Sequence, residues 1–137
     1  MAVDVKSLKK GSALRVLRNA DSGEVLLGRA RLCIGFFCHL KGLMFTPRLD
    51  ADQGLLFVTG GESRANTTIH MFFMLFPIAV VWLDKTGRVV DKQLAKPWRP
   101  AYAPKAPAQF YIEAHVSLLD KVNMGDRLRF DEEAAPQ

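Results

Sequence analysis

Residues 69–84 read IHMFFMLFPIAVVWLD, and the fold turns on how this stretch is read. In an extended chain, successive side chains point to opposite faces. Ile69, Met71, Phe73 and Leu75 then share one face, and His70, Phe72, Met74 and Phe76 share the other. Both faces are apolar except at His70, the pattern of a strand covered on both sides. Pro77 has no N–H to give to a ladder, so it forces a bend or an edge position. The strand resumes at 78–84, Asp84-Lys85-Thr86-Gly87 supplies a turn, and 88–94 (RVVDKQL) follows as a further strand. The spacing thus predicts a hairpin over 78–94 and places the middle of a small β fold here.

Working outward, LRVLRN (14–19) and EVLL (24–27) flank Asp21-Ser22-Gly23, a strand–turn–strand signal. In RLCIGFFCHLK (31–41), Leu32, Phe36, Leu40 and Leu43 recur near a helical period, so one short helix is expected there. Gly42 suits its end, and Pro47 stops it from running on. GLLFVT (54–59) reads as a buried strand leading into the polar loop GGESRANTT. Pro97, Pro100, Pro104 and Pro107 stiffen an extended surface loop in which Trp98 and Tyr102 are interleaved. QFYIEAHV (109–116) resumes strand character, SLLDKVN (117–123) suits one helical turn, and RLRFD (127–131) alternates as a closing strand. The expected fold is mostly β: a compact antiparallel sandwich or barrel with one short helix. The expected organisation is a basic N-terminal segment (1–13), one β domain (14–131) and an acidic disordered tail (132–137).

Composition narrows the class. The chain has 137 residues, 49% hydrophobic and 24% charged, which is ordinary globular usage and excludes a disordered, collagen-like or coiled-coil chain. Lys and Arg exceed Asp and Glu by 19 to 14, a net charge of +5. The clearest basic cluster, Lys6, Lys9, Lys10, Arg15 and Arg18, reads as a solvated, frayed terminus, so nucleic acid is not the favoured partner. Cys33 and Cys38, if both lie on the predicted helix, stand about 140° apart around its axis and about 7.5 Å along it, too poorly placed for a disulfide. Free buried thiols in a reducing compartment are expected. The first ten residues lack an apolar signal region, and the longest apolar run, Met71 to Leu83, falls short of the ~18 residues of a membrane span. A soluble cytoplasmic protein with no membrane partner is the expectation.

Chemistry is sparse. His70 stands alone in an apolar segment beside Met71; it is either a general base or ligand lining a pocket, or a core histidine bonded to backbone. Trp98 and Arg99 on the proline-stiffened loop suit a recognition surface, extended by Tyr102 and Lys105, because little entropy is lost on ordering them. The alternative is that Trp98 packs down as a plug over the end of the sandwich. Arg64, Asn66 and Thr67 precede the His70 segment and could border the same region. A Cu(I) site from His70, Met71, Met74 and Met44 is disfavoured, since adjacent strand residues face opposite ways. Cys33, Cys38 and His39 lack zinc-site spacing, Ser63 and Ser117 lack a nucleophile elbow, and Gly60-Gly61 is not a phosphate loop. No catalytic residue, metal or cofactor is assigned. His70, Met71, Trp98, Arg99 and Tyr102 are the candidate binding residues.

Three segments carry a family resemblance. Lys41-Gly42-Leu43-Met44-Phe45 resembles an R-G-L-M-F motif that follows a short helix. His70 to Ile78, then Val80 to Asp84 and Gly87 to Val90, resembles a Met-containing strand that runs through Pro-Ile-Asp into an apolar strand and a Gly turn. Met124-Gly125-Asp126 resembles a closing V-G-D. Together, over roughly residues 14–130, they resemble the DUF192 family, a domain of unknown function. The resemblance implies a jelly-roll-like β fold with one helix and supplies no mechanism. Ala79 stands where the family has Asp, and Glu113-Ala114-His115-Val116-Ser117 replaces a Glu-Leu-Pro-Ala-Gly stretch, so a site built on that Asp is in doubt here. The expected function is a non-enzymatic module binding an unknown protein or small ligand. The alternative is an enzyme or ligand site using His70 in a pocket bordered by the Trp98–Arg99 loop.

Overall fold

The structure is a computed structural model that describes residues 2–132. The strands are β1 (Leu14–Asn19), β2 (Val25–Cys33), β3 (Gln53–Ser63), β4 (Ile78–Leu83), β5 (Val89–Ala95), β6 (Ala108–Ala114) and β7 (Leu128–Glu132). Two short helices, α1 (Val5–Lys10) and α2 (Phe36–Lys41), and a 3-10 helix (Val116–Asp120) complete the elements. The strands form one seven-stranded sheet in the order β5-β4-β6-β3-β2-β1-β7. Every pairing is antiparallel except β2 with β3, which is parallel. The fold is therefore mostly β, as its composition of short apolar runs and turns implies.

The sheet curls. Val89 N–H donates to Asp126 C=O (2.8 Å) and Leu128 N–H to Gly87 C=O (2.9 Å), so the β4–β5 turn meets the start of β7. Alternation along β3, β4 and β6 sends two sets of side chains to opposite sides. Leu56, Val58, Val81, Leu83, Phe110 and Ile112 fill one core, closed by Leu8 of α1 and Leu118 of the 3-10 helix. Phe57, Ile78, Val80, Trp82 and Tyr111 fill the other, closed by Leu43, Ile69, Met71 and Met74. All six side chains of β4 are buried, because that strand is covered on both faces.

Several expectations are corrected. Residues 69–77 are not a strand: only 78–83 carries the ladder, and the preceding segment is a looped cover over the second core. Met71 and Met74 point inward, but Phe72, Phe73 and Leu75 are exposed, so the alternation of an extended chain does not hold. The predicted helix over 31–41 begins only at Phe36, because β2 continues through Cys33 in register with Phe57 of β3. Cys33 thus ends a strand while Cys38 lies on a helix, and the turn between them brings their Cα atoms to 5.6 Å in a disulfide. The helical geometry that argued against that bond does not apply, and no free cysteine remains among the described residues.

The N-terminal segment is helical rather than frayed, since the Asp4 carboxylate caps α1 through the Ser7 N–H and Leu8 inserts into the core. Glu132, assigned to the acidic tail, is the last residue of β7. The rest of that tail, 133–137, lies outside the described residues. No helix among the described residues is long and apolar enough to cross a membrane.

Candidate functional site

The expected binding residues fall on two segments that are laced together. Ile69 and Tyr102 exchange N–H···O=C bonds of 3.0 and 2.9 Å. Met71 N–H donates to Arg99 C=O (2.8 Å), and Trp98 N–H donates to Met71 C=O (2.7 Å). The Tyr102 hydroxyl accepts the Lys96 N–H at 2.9 Å, which closes the proline loop on itself. His70, Met71, Trp98, Arg99 and Tyr102 therefore lie on neighbouring backbone. Arg64 also reaches the loop, donating from Nε to Pro104 C=O (2.8 Å), whereas Thr67 is buried and bonds to Ser63 C=O.

His70 is held at both ring nitrogens. Nδ1 accepts the Phe72 N–H (3.2 Å), so Nε2 carries the proton and donates to Leu40 C=O (3.1 Å). The ring ties the 69–77 cover to the end of α2. Met71 is fully buried and reaches no solvent.

The outer side of these segments is aromatic. Phe45, Phe73 and Trp98 are 63%, 42% and 55% exposed, so Trp98 does not plug the core. They are also the three non-glycine residues with positive φ among the described residues, at 61°, 61° and 70°. Two of them sit third in β-turns closed by backbone bonds, Leu43 to Thr46 (3.1 Å) and Met71 to Met74 (3.3 Å). Trp98 follows Pro97 in a turn, the proline-then-positive-φ order that ordinarily calls for glycine. Bulky residues in this region carry strain of about 1–3 kcal/mol. The three rings touch: Phe45 and Phe73 centroids lie 5.1 Å apart, as do those of Phe73 and Trp98. The Phe45 N–H donates to Phe73 C=O (3.0 Å), locking the two turns.

Inward of the same turns lies a cavity of about 40 Å³, room for one water-sized group, lined by His39, Gly42, Leu43, His70, Met74 and Glu113. Glu113 projects from β6 on the face of Tyr111 and is 94% buried (6% exposed). Burial pushes its pKa up to about 8, so at neutral pH it is protonated. Burial, and then the Glu113 charge, push the Tyr111 hydroxyl far up as well. Tyr111 Oη lies 3.3 Å from His39 Nδ1, and its ring stacks on Phe57 at 4.4 Å. Burial lowers the His39 pKa, opposed by the carbonyls of Val58 and Cys33. A Cβ on Gly42, where φ is +47°, would stand 3.1 Å from Glu113 Oε1, so glycine is required by both backbone and carboxyl.

Sequence reading did not single out Glu113. Its signal is a carboxylate alternating with Tyr111 in an otherwise apolar strand. In the sequence Phe73 reads as one face of a covered strand and Phe45 only as part of the Lys41–Phe45 motif, because nothing in an apolar residue reveals positive φ. No cluster of potential metal ligands occurs among the described residues.

The aromatic turns carry one sign of charge. Residues 34–49, 63–83 and 92–112 contain no Asp or Glu, while Lys41 and Arg48 bracket Phe45 and Lys96 and Arg99 bracket Trp98.

Comparison with known proteins places this geometry among relatives. Residues 18–130 match the family model DUF192, described as an uncharacterised ACR. A UPF0127 protein of Thermococcus sibiricus is 40% identical over 120 residues, 86% of this chain and 76% of that one. A UPF0127 protein of Thermococcus kodakarensis is 44% identical over 101 residues, 74% of this chain and 62% of that one. Among solved structures, a Sinorhizobium meliloti protein named only provisionally as a transcription regulator superposes with a TM-score of 0.75. It is 21% identical and covers 85% of this chain and 92% of its own, a likeness of fold. A Novosphingobium aromaticivorans protein of unknown function, 19% identical over 85% of this chain and 83% of its own, has a TM-score of 0.71.

Proposed function

Because the chain belongs to the DUF192 family, whose description assigns no activity, we propose a function from its own geometry: it is a non-enzymatic binding module that engages a partner through the Phe45–Phe73–Trp98 face. One observation carries this reading. Three large aromatic residues hold left-handed turn positions where glycine is unstrained, and each stays exposed. Strain maintained at exposed residues gives no folding benefit and is typical of ligand clamps and contact loops. Exposed apolar patches of this kind mark interaction sites.

The test is a photo-crosslinking amino acid placed at Trp98, with the same residue at exposed Val25 as the control. In cells, adducts should form from position 98 and not from 25. Equal yields from both positions would remove the face from the account.

A second reading, a small-ligand or enzyme site beside His70, draws support from one observation: the buried Glu113 in the cavity that His70 also lines. In that reading Glu113, not the doubly bonded His70, is the acid. The cavity admits only a group of water size, which favours the binding-face reading.

A further inference from the structure

We infer that the occupant of this face is an anionic phospholipid surface, an inference that rests on the binding-face reading and gives it a chemistry. Among the described residues, ten large apolar side chains are exposed, and seven of them, Phe37, Leu40, Phe45, Phe72, Phe73, Leu75 and Trp98, lie on α2 and the linked turns. The charged residues of the three acid-free segments are all basic or histidine. Lys41, Arg48, Lys96 and Arg99 are exposed, and no carboxylate interrupts the three segments. Aromatic and aliphatic tips with flanking Lys and Arg are the composition that seats at a membrane interface, the rings at headgroup depth and the cations against anionic lipid. The expectation of no membrane partner rested on the lack of a signal region and of a spanning segment. A surface contact needs neither.

The other occupants fit less well. A second copy would set Lys41, Arg48, Lys96 and Arg99 against their own equivalents, with like charges opposed. A nucleic acid base held between two rings needs centroids roughly 7 Å apart, two layers of van der Waals contact. Here the rings stand 5.1 Å apart, and Leu40 and Leu75 have no π face on which to stack a base.

Trp98 reports on the contact. The other tryptophan, Trp82, is fully buried with its Nε1–H on Thr67 C=O (2.7 Å), so its emission is already that of an apolar site. The purified chain is mixed with vesicles of phosphatidylcholine alone and of phosphatidylcholine with phosphatidylglycerol. It should sediment with the second only, lose that binding as salt is raised, and show a blue shift of emission that Trp98→Phe abolishes. Neutralising both Lys96 and Arg99 to Gln should weaken binding about thirtyfold. An unshifted emission with no sedimentation overturns the lipid assignment, and so does equal binding to the neutral vesicles. Binding of a single-stranded oligonucleotide in place of vesicles also overturns it. If crosslinks from position 98 persist while vesicles fail, the binding face stands and only its occupant is wrong.

Discussion

The Trp98 N–H donates to the Met71 carbonyl at 2.7 Å, and the Met71 N–H donates to the Arg99 carbonyl at 2.8 Å. An exposed tryptophan is thereby anchored to a methionine that sees no solvent. The core fixes the loop, and the loop holds its ring out. Such preorganisation cuts the entropy lost when a partner is met.

His70 joins the same framework to α2. His70→Ala removes two hydrogen bonds and should cost about 1–3 kcal/mol of stability. Heteronuclear NMR of the ring should find one tautomer, protonated at Nε2, in the native protein. A ring exchanging between tautomers would contradict the bonding described.

Glu113 couples stability to pH. Its folded pKa is raised to about 8, against 4.5 for the free group. The unfolded chain therefore loses this proton first as pH rises. Below about pH 4.5 both states hold it, and the group is neutral to stability. Between about pH 4.5 and 8 stability falls by up to about 1.4 kcal/mol per pH unit, then levels off. Denaturant unfolding across this range should show Glu113→Gln gaining on the native protein as pH rises. Parallel curves for the two proteins would show that Glu113 is not protonated in the fold.

Gly42 sits over that carboxyl at positive φ. Gly42→Ala should lose about 1–3 kcal/mol from backbone strain, plus a contact with Glu113. In a double-mutant cycle with Glu113→Ala, the second substitution should return the contact part and leave the strain part. Full additivity would mean that the two residues do not touch.

The Cys33–Cys38 bond closes a short loop and ties the end of β2 to α2. Cys38→Ser should cost about 2 kcal/mol on chain-entropy grounds. Mass spectrometry under non-reducing conditions should find no free thiol, and two alkylatable thiols would refute the pairing.

Much of the sheet is legible in the sequence, since β4, β5, β6 and β7 follow from apolar runs bounded by turn residues. Gly23 and Gly87, both at positive φ, close the two hairpins that the sequence predicts. What misled is apolarity without order. Phe72 and Phe73 look like strand residues, but a turn closed by the Met71–Met74 bond turns them outward. Leu32 fits a helical spacing with Phe36, yet pairing with Leu56 of β3 holds it in β2. Tertiary pairing outweighed local periodicity at Leu32, and a local turn broke the alternation at Phe72 and Phe73. His70 and Trp98 were singled out as oddities, and the structure brings their segments together. Glu113, Phe45 and Phe73 needed burial and φ values to be noticed.

The account stands or falls on whether the left-handed aromatics serve something outside the molecule. The direct measurement is the unfolding free energy of Trp98→Gly. Glycine relieves the strained φ, against a lost contact between the Trp98 and Phe73 rings and a freer unfolded chain, so stability should change by less than about 1 kcal/mol. A loss of more than about 1 kcal/mol would mean that the Trp98 ring serves the fold itself, and would contradict the account.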